Sequence, residues 1–264
     1  KFMDESKVYY TTVFGMPFLK KWSRNETFRS GYYLDSSSRV VISRDTDYIV
    51  ALAIQDFIKD NPDSDIRDRL FPFIGGFDST DLGAVDMVIK RIKEFPGIWE
   101  GVGEVMSRHD DLTNLTTGER PMANHPSVHR LSDFSGEVFL PVSIHHNIAP
   151  ISPSGAVKPP LYLAEFIDLV DQHPNTTFIW CHAGISRRIK VANLPKIIDD
   201  FLTEKQRYKH VFIDLSWVVY DDYIYSERKG VDNRDVWAQL VEKYPITFMM
   251  GSDKVGKFNG YAKE

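Results

Sequence analysis

The sequence predicts a (β/α)8 barrel forming one domain over residues 1–264, and three observations carry that prediction. Short β-branched and aromatic runs recur along the chain, most of them spaced by about 30 to 40 residues, the length of one strand, one helix and two loops. Amphipathic stretches fill the intervals between them. The runs are apolar without strict alternation, as expected for strands covered on both faces in a parallel sheet. Hydrophobic residues make up 42% of the 264 and charged residues 26%, so the chain can bury one large core and is neither disordered nor fibrous.

Seven strands are legible: VYYTTVF (8–14), RLFPFIGG (69–76), WEGVGEV (99–105), VFLPVSIH (138–145), TTFIWCH (176–182), HVFIDLS (210–216) and ITFMMGS (246–252). Between the second and third, Leu82, Val85, Val88, Ile89 and Ile92 repeat at helical spacing, with Thr80 or Asp81 placed to cap the start and Pro96 closing the segment. Leu163, Phe166, Ile167 and Val170 mark a helix after Pro159 and Pro160, and Val236, Trp237, Leu240 and Val241 mark another before the last strand. Residues 15–68 exceed one repeat. Ile49, Val50, Ala53, Phe57 and Ile58 give that stretch a helix, so it reads as an ordered insertion. Residues 107–136 form a long polar excursion without sustained periodicity, expected as a loop at the barrel mouth because it follows a strand.

The net charge of −5 gives no basic field for nucleic acid or anionic lipid, and no apolar run approaches the roughly 20 residues of a membrane span. Cys181 is the only cysteine, which excludes an intrachain disulfide and a thiolate metal cluster. A soluble protein, with the cytoplasm as the favoured compartment, is the expectation. The partners expected are a small-molecule substrate, anionic if the arginines below bind it, and further copies of the same chain in a homo-oligomer.

In a barrel of this kind chemistry sits at the C-terminal ends of the strands. Glu104, His145, His182, Asp214 and Asp253 each end or follow an apolar run, so buried strands offer them to one centre. Imidazoles and carboxylates converging in this way are ligand types for zinc or a similar divalent ion that activates water. The alternative for each residue alone is a satisfied polar group in a barrel interior. His109, His125 and His129 fall in the long mouth loop and could touch substrate, although loop histidines are commonly solvated. Arg187, just past the fifth run, could hold a substrate carboxylate or phosphate, as could Arg188 less favourably. His173 and His210 precede strands and belong to the barrel floor, and His146 should point away from His145.

The motifs GVGE, LPVSIHHN, FIWCHAG, VFIDLSW and FMMGSD, in this order over residues 99–253, resemble strands four to eight of the amidohydrolase superfamily, in particular its amidohydrolase-related group of metal-dependent hydrolases. The resemblance implies His145 as the strand-five metal ligand and His182 as the strand-six histidine. It implies Asp253 as the aspartate that binds metal and takes the proton of the attacking water, and Glu104 as a strand-four bridging ligand. One or two divalent ions, zinc first, would be the cofactor, and an amide, lactone or ester the substrate; decarboxylases and hydratases use the same constellation. That family opens with a His-X-His pair at the end of strand one, and no such pair occurs here. The expectation is a barrel lacking its first strand and last helix in this chain, with strand one before Lys1. The alternatives are a barrel that has lost its metal pair, or a non-catalytic barrel that binds a small acidic ligand or a protein.

Overall fold

A computed structural model describes residues 2–5, 7–20, 40–109, 112 and 119–253. After a short helical turn, α1 (Phe2–Glu5), the chain enters β1 (Thr11–Phe14) and then a two-stranded antiparallel ribbon, β2 (Phe18–Lys20) with β3 (Val40–Ile42). Helix α2 (Thr46–Asp60) and the short α3 (Ile66–Arg69) lead to β4 (Leu70–Ile74). Four further units follow in regular succession: α4 (Ala84–Glu94) and β5 (Gly101–Ser107), α5 (Pro126–Glu137) and β6 (Val142–His146), α6 (Leu163–Gln172) and β7 (Phe178–Trp180), α7 (Leu194–Thr203) and β8 (Val211–Asp214). A small ribbon, β9 (Tyr225–Ser226) with β10 (Val231–Asp232), precedes α8 (Arg234–Lys243) and β11 (Phe248–Met249).

The seven remaining strands form one parallel sheet in the order β1-β4-β5-β6-β7-β8-β11. Sequential order with a helix in each crossover is the wall of a (β/α)8 barrel. The barrel is incomplete: among the described residues no pairing joins β11 back to β1. All seven runs read from the sequence lie in this sheet, shortened to the residues that make ladder bonds. No helix among the described residues is long and apolar enough to cross a membrane.

The core lies between the sheet and its outer helices. Val88 of α4, Leu131 of α5, Phe166 and Leu169 of α6, and Ile198 and Leu202 of α7 are buried against strand residues such as Val102, Ile144, Phe178 and Ile213. Phe166 stacks on Phe201 and lies 4.6 Å from the Trp180 ring, which ties α6, α7 and β7 together. Fully burying one such aromatic contributes about 1.5–3 kcal/mol, so this layer supplies rigidity to the strand ends that carry the polar residues.

Two parts of the sequence reading change. Helix α2 is the ordinary crossover between β1 and β4, so of the span 15–68 only the part before it is additional; residues 21–39 of that part lie outside the described residues. Residues 126–136 of the predicted mouth loop belong instead to helix α5. Its buried face mixes Val128 and Leu131 with Ser127, Ser132 and Ser135, and small polar residues at core-facing positions erase the apolar period. Of the remaining loop, residues 110, 111 and 113–118 lie outside the described residues, as do residues 254–264, the stretch judged too short for a closing helix.

Candidate metal centre

Each polar residue of the site is presented by a local feature at a strand end. On β5 the register against β6 slips between Val102 and Val105, so one extra residue is accommodated beside Glu104, a bulge of the kind that re-aims a side chain. Gly103 makes this approach feasible: its φ is +131°, and a Cβ there would sit 2.3 Å from the Ser143 carbonyl oxygen. On β6 the alternation of strand residues separates His145 from His146. His146 faces outward, with Nε2 against the Tyr162 carbonyl at 2.8 Å and Nδ1 3.1 Å from the Ser107 hydroxyl. After β7 the chain makes a tight turn, Cys181–Gly184, in which His182, Ala183 and Gly184 all have φ near the left-handed region, at 53°, 49° and 73°. That turn swings His182 over the strand ends.

These features bring Glu104, His145 and His182 together. The Glu104 Oε1 atom is 3.0 Å from His145 Nδ1 and 3.8 Å from His182 Nε2, and one ligand atom from each residue lies within 4.8 Å of the others. All three are buried, each at most 4% exposed. Asp253 follows β11 and places Oδ2 3.9 Å from His182 Nε2. Four of the five strand-end residues named from the sequence thus lie together on the C-terminal side of the sheet. His182 Nδ1, on the other edge of the ring, is 2.7 Å from Ser216 Oγ and 3.3 Å from Asp214 Oδ2. Trp217 packs beside both histidines, its ring 5.2 Å from His182 and 6.4 Å from His145.

The electrostatics follow from burying unlike charges together. Burial pushes the Glu104 carboxyl up, but hydrogen bonds and charge from His145 and His182 outweigh it and hold Glu104 well below the usual carboxylate range. For His182, burial opposes the cation, yet the bonds to Asp214 and Glu104 and the nearby carboxylate charges raise it to about 10. Burial raises Asp253 to about 6 against the opposing pull of the His182 charge. The Cys181 thiol, buried beside these carboxylates, is pushed well above its ordinary value and is inert as a nucleophile.

The other sequence candidates separate. His109 is beside the centre, its ring 4.2 Å from that of His145, and burial pushes it well below the ordinary histidine value, so it stands as a neutral imidazole. Arg187 lies with its guanidinium 5.5 Å over the Trp217 ring. His125 and His129 are not brought to the cluster. His125 caps α5, its Nδ1 accepting from the Ser127 N–H at 3.1 Å while Nε2 meets Glu119. His129 lies between α5 and α6, with Nδ1 2.7 Å from His173 Nε2. His173 and His210 precede β7 and β8, where the Asp133 carboxylate and the Val170 carbonyl hold them. Sequence reasoning assigned no role to Ser216 and Trp217, although Ser216 ends the FIDLS run and Trp217 follows it directly. It also passed over Asp47 on α2, a buried carboxylate accepting from the Gly75 and Gly76 N–H groups at 2.9 Å, for which no local signal exists.

The donor set suits a divalent ion: one carboxylate and two imidazoles, buried, at strand ends, with donor atoms close enough to share a centre. Fold and site together define a TIM barrel with a buried candidate metal centre at its mouth. No family model matches the sequence, and no curated protein matches it either. Among solved structures the chain is similar to an uncharacterised TIM-barrel protein from Bordetella bronchiseptica, at 10% identity and a TM-score of 0.53, over 99% of this chain and 71% of that one. An amidohydrolase from Burkholderia multivorans with bound zinc matches at 14% identity and a TM-score of 0.46, over 84% of this chain and 70% of that one. A 2,6-dihydroxybenzoate decarboxylase from Rhizobium matches at 10% identity and 0.45, over 84% and 72%. At such identities the likeness concerns the fold.

Proposed function

We propose that the protein is a metal-dependent hydrolase of the amidohydrolase type, acting on an amide, lactone or ester of a small molecule. The observation that carries this reading is the buried convergence of Glu104, His145 and His182 with Asp253 beside them. The ordered motifs from GVGE to GSD support it. Glu104, His145 and His182 would hold the ion, zinc first, with Asp253 as a further ligand and one or two ions in all. Bound there, it supplies a Lewis acid for a carbonyl and lowers the pKa of a water molecule.

The protein's own groups do the rest. Asp253 takes the proton of the attacking water; a carboxyl raised to about 6 by burial is a stronger base than an exposed one and still ionised at neutral pH. The Trp217 ring forms a flat apolar wall beside His145 and His182, and Arg187 above it orients an anionic group of the substrate. Neutral His109 adds a further wall and a hydrogen-bonding edge. Decarboxylation is the second reading, favoured by the same Arg187–Trp217 pair, which suits a planar carboxylic acid. The deciding experiment is elemental analysis of the purified protein, followed by assays of apo and zinc- or manganese-reloaded samples. Lactone, amide and ester panels are run beside carbon dioxide release from aromatic acids. Metal-restored hydrolysis supports the first reading and metal-restored carbon dioxide release the second. Absence of both, with no bound metal, rejects the enzyme reading.

A further inference from the structure

We infer that Asp214 and Ser216 are positioning residues that fix which nitrogen of His182 faces the centre, an inference that rests on the proposed metal-site reading for its functional consequence. Proton counting on the observed contacts leads to it. The Asp214 carboxylate is ringed by donors: Oδ1 accepts from the Ser216 N–H at 3.1 Å, and Oδ2 accepts from the Ser216 hydroxyl and lies 3.4 Å from the His182 backbone N–H. A carboxylate can only accept, and a serine hydroxyl has a single proton to give. With that proton directed to Asp214, the Ser216 oxygen can meet His182 Nδ1, 2.7 Å away, only as an acceptor. Nδ1 therefore carries a hydrogen. In the neutral ring the lone pair is then on Nε2, the atom facing Glu104 and Asp253.

The same three groups set the position of the ring as well as its tautomer. His182, Ala183 and Gly184 have left-handed backbone angles, a conformation that costs alanine and histidine energy unless the surroundings hold it. Asp214 grips this turn from the next strand through both the backbone and, by way of Ser216, the side chain of His182. Gly251 leaves the space for it, since a Cβ there would lie 2.8 Å from Asp214 Oδ1 and 3.1 Å from Ser216 Cβ. A carboxylate that orients a metal-binding histidine through its distal N–H commonly changes metal affinity by about 10- to 100-fold when removed.

The test uses the full chain, 15N-labelled at histidine, as wild type, Ser216→Ala, Ser216→Thr and Asp214→Asn. A His182 Nδ1–H protected from solvent exchange should be visible in the wild type and in Ser216→Thr. That protection should fall in Ser216→Ala, which leaves Asp214 Oδ2 at 3.3 Å as the acceptor, and fall further in Asp214→Asn, where the amide can donate to Ser216 and turn its hydroxyl away from accepting the Nδ1 hydrogen. Zinc affinity by chelator competition should fall about 10- to 100-fold in the two disabling variants and stay within about threefold in Ser216→Thr. A merely structural role would shift melting temperatures without moving the Nδ1 proton. Absence of a protected Nδ1–H in the wild type, or undiminished protection in both disabling variants, overturns the inference. If no variant binds zinc, wild type included, the metal reading fails, while the Nδ1–H signal still decides the positioning role.

Discussion

Zinc binding should be strongly pH-dependent, because the site holds a proton that the ion has to displace. In the absence of metal the His182 cation is raised to about 10 by its carboxylate neighbours, so at pH 7 the ring is protonated about three pH units below its midpoint. Removing that proton costs about 4 kcal/mol at pH 7, and the cost shrinks by 1.36 kcal/mol, a factor of about ten in affinity, for each pH unit gained. Glu104 is held well below the usual carboxylate range and releases none. Below pH about 6 Asp253 also takes up a proton, which steepens the dependence if it is a ligand. The assay is chelator competition for zinc at pH 6.5, 7.5 and 8.5, with calorimetry in buffers of different ionisation enthalpy to count released protons. The expected result is a tenfold gain per unit and release of about one proton. His182→Gln, which has no such proton, should bind more weakly and with a flatter profile. An affinity independent of pH in the wild type, with no proton released, would refute the charge assignment at His182.

Three further outcomes are expected. Asp253→Asn should lower metal-restored turnover by about 100- to 10,000-fold, the usual contribution of a general base, with little change in apo melting temperature; near-normal turnover at full metal occupancy would remove Asp253 from that role. Gly184→Ala places a methyl 2.3 Å from Trp180 Cζ2 and 2.6 Å from Ile148 Cγ2 at a φ of +73°, so urea denaturation should show a loss of about 3 kcal/mol or more, and a loss below about 1 kcal/mol would mean the turn is not held as described. Burial raises Asp47 to about 6 from 3.8, so its protonated form is favoured in the fold: the stability it contributes is complete below pH 3.8 and is lost as pH rises through 6. Relative to Asp47→Asn, wild-type stability should therefore fall across that window by up to about 3 kcal/mol, and parallel pH profiles would exclude the shift.

The sheet was legible because a buried parallel strand is a continuous apolar run, and FPFIGG, PVSIH and FIWCH could hardly be anything else between amphipathic segments. The residues of the cluster were legible for the same reason. A polar side chain at the end of such a run has little choice but to face the mouth, and Glu104, His145, His182 and Asp253 all do. What the sequence hid was whatever depends on contacts made from another element. Helix α5 buries serines, so its periodicity vanished, and His125 and His129 looked like mouth residues when one is a helix cap and the other meets His173 across helices. Ser216, and the part Asp214 plays through it, acquire meaning only because a left-handed turn after the preceding strand brings His182 onto them. Asp47 is buried by two glycine N–H groups nearly thirty positions further on, a relation no local pattern encodes.

The proposal that Glu104, His145 and His182 form a metal centre is tested most directly by soaking crystals of the protein in zinc and collecting data on both sides of the zinc absorption edge. An anomalous peak should appear about 2 Å from a carboxylate oxygen of Glu104 and from one nitrogen each of His145 and His182. For His182 that nitrogen should be Nε2. A peak elsewhere on the molecule, or none at this position in crystals with clear density for all three side chains, would mean that the buried cluster is a structural ion-pair network and not a metal site.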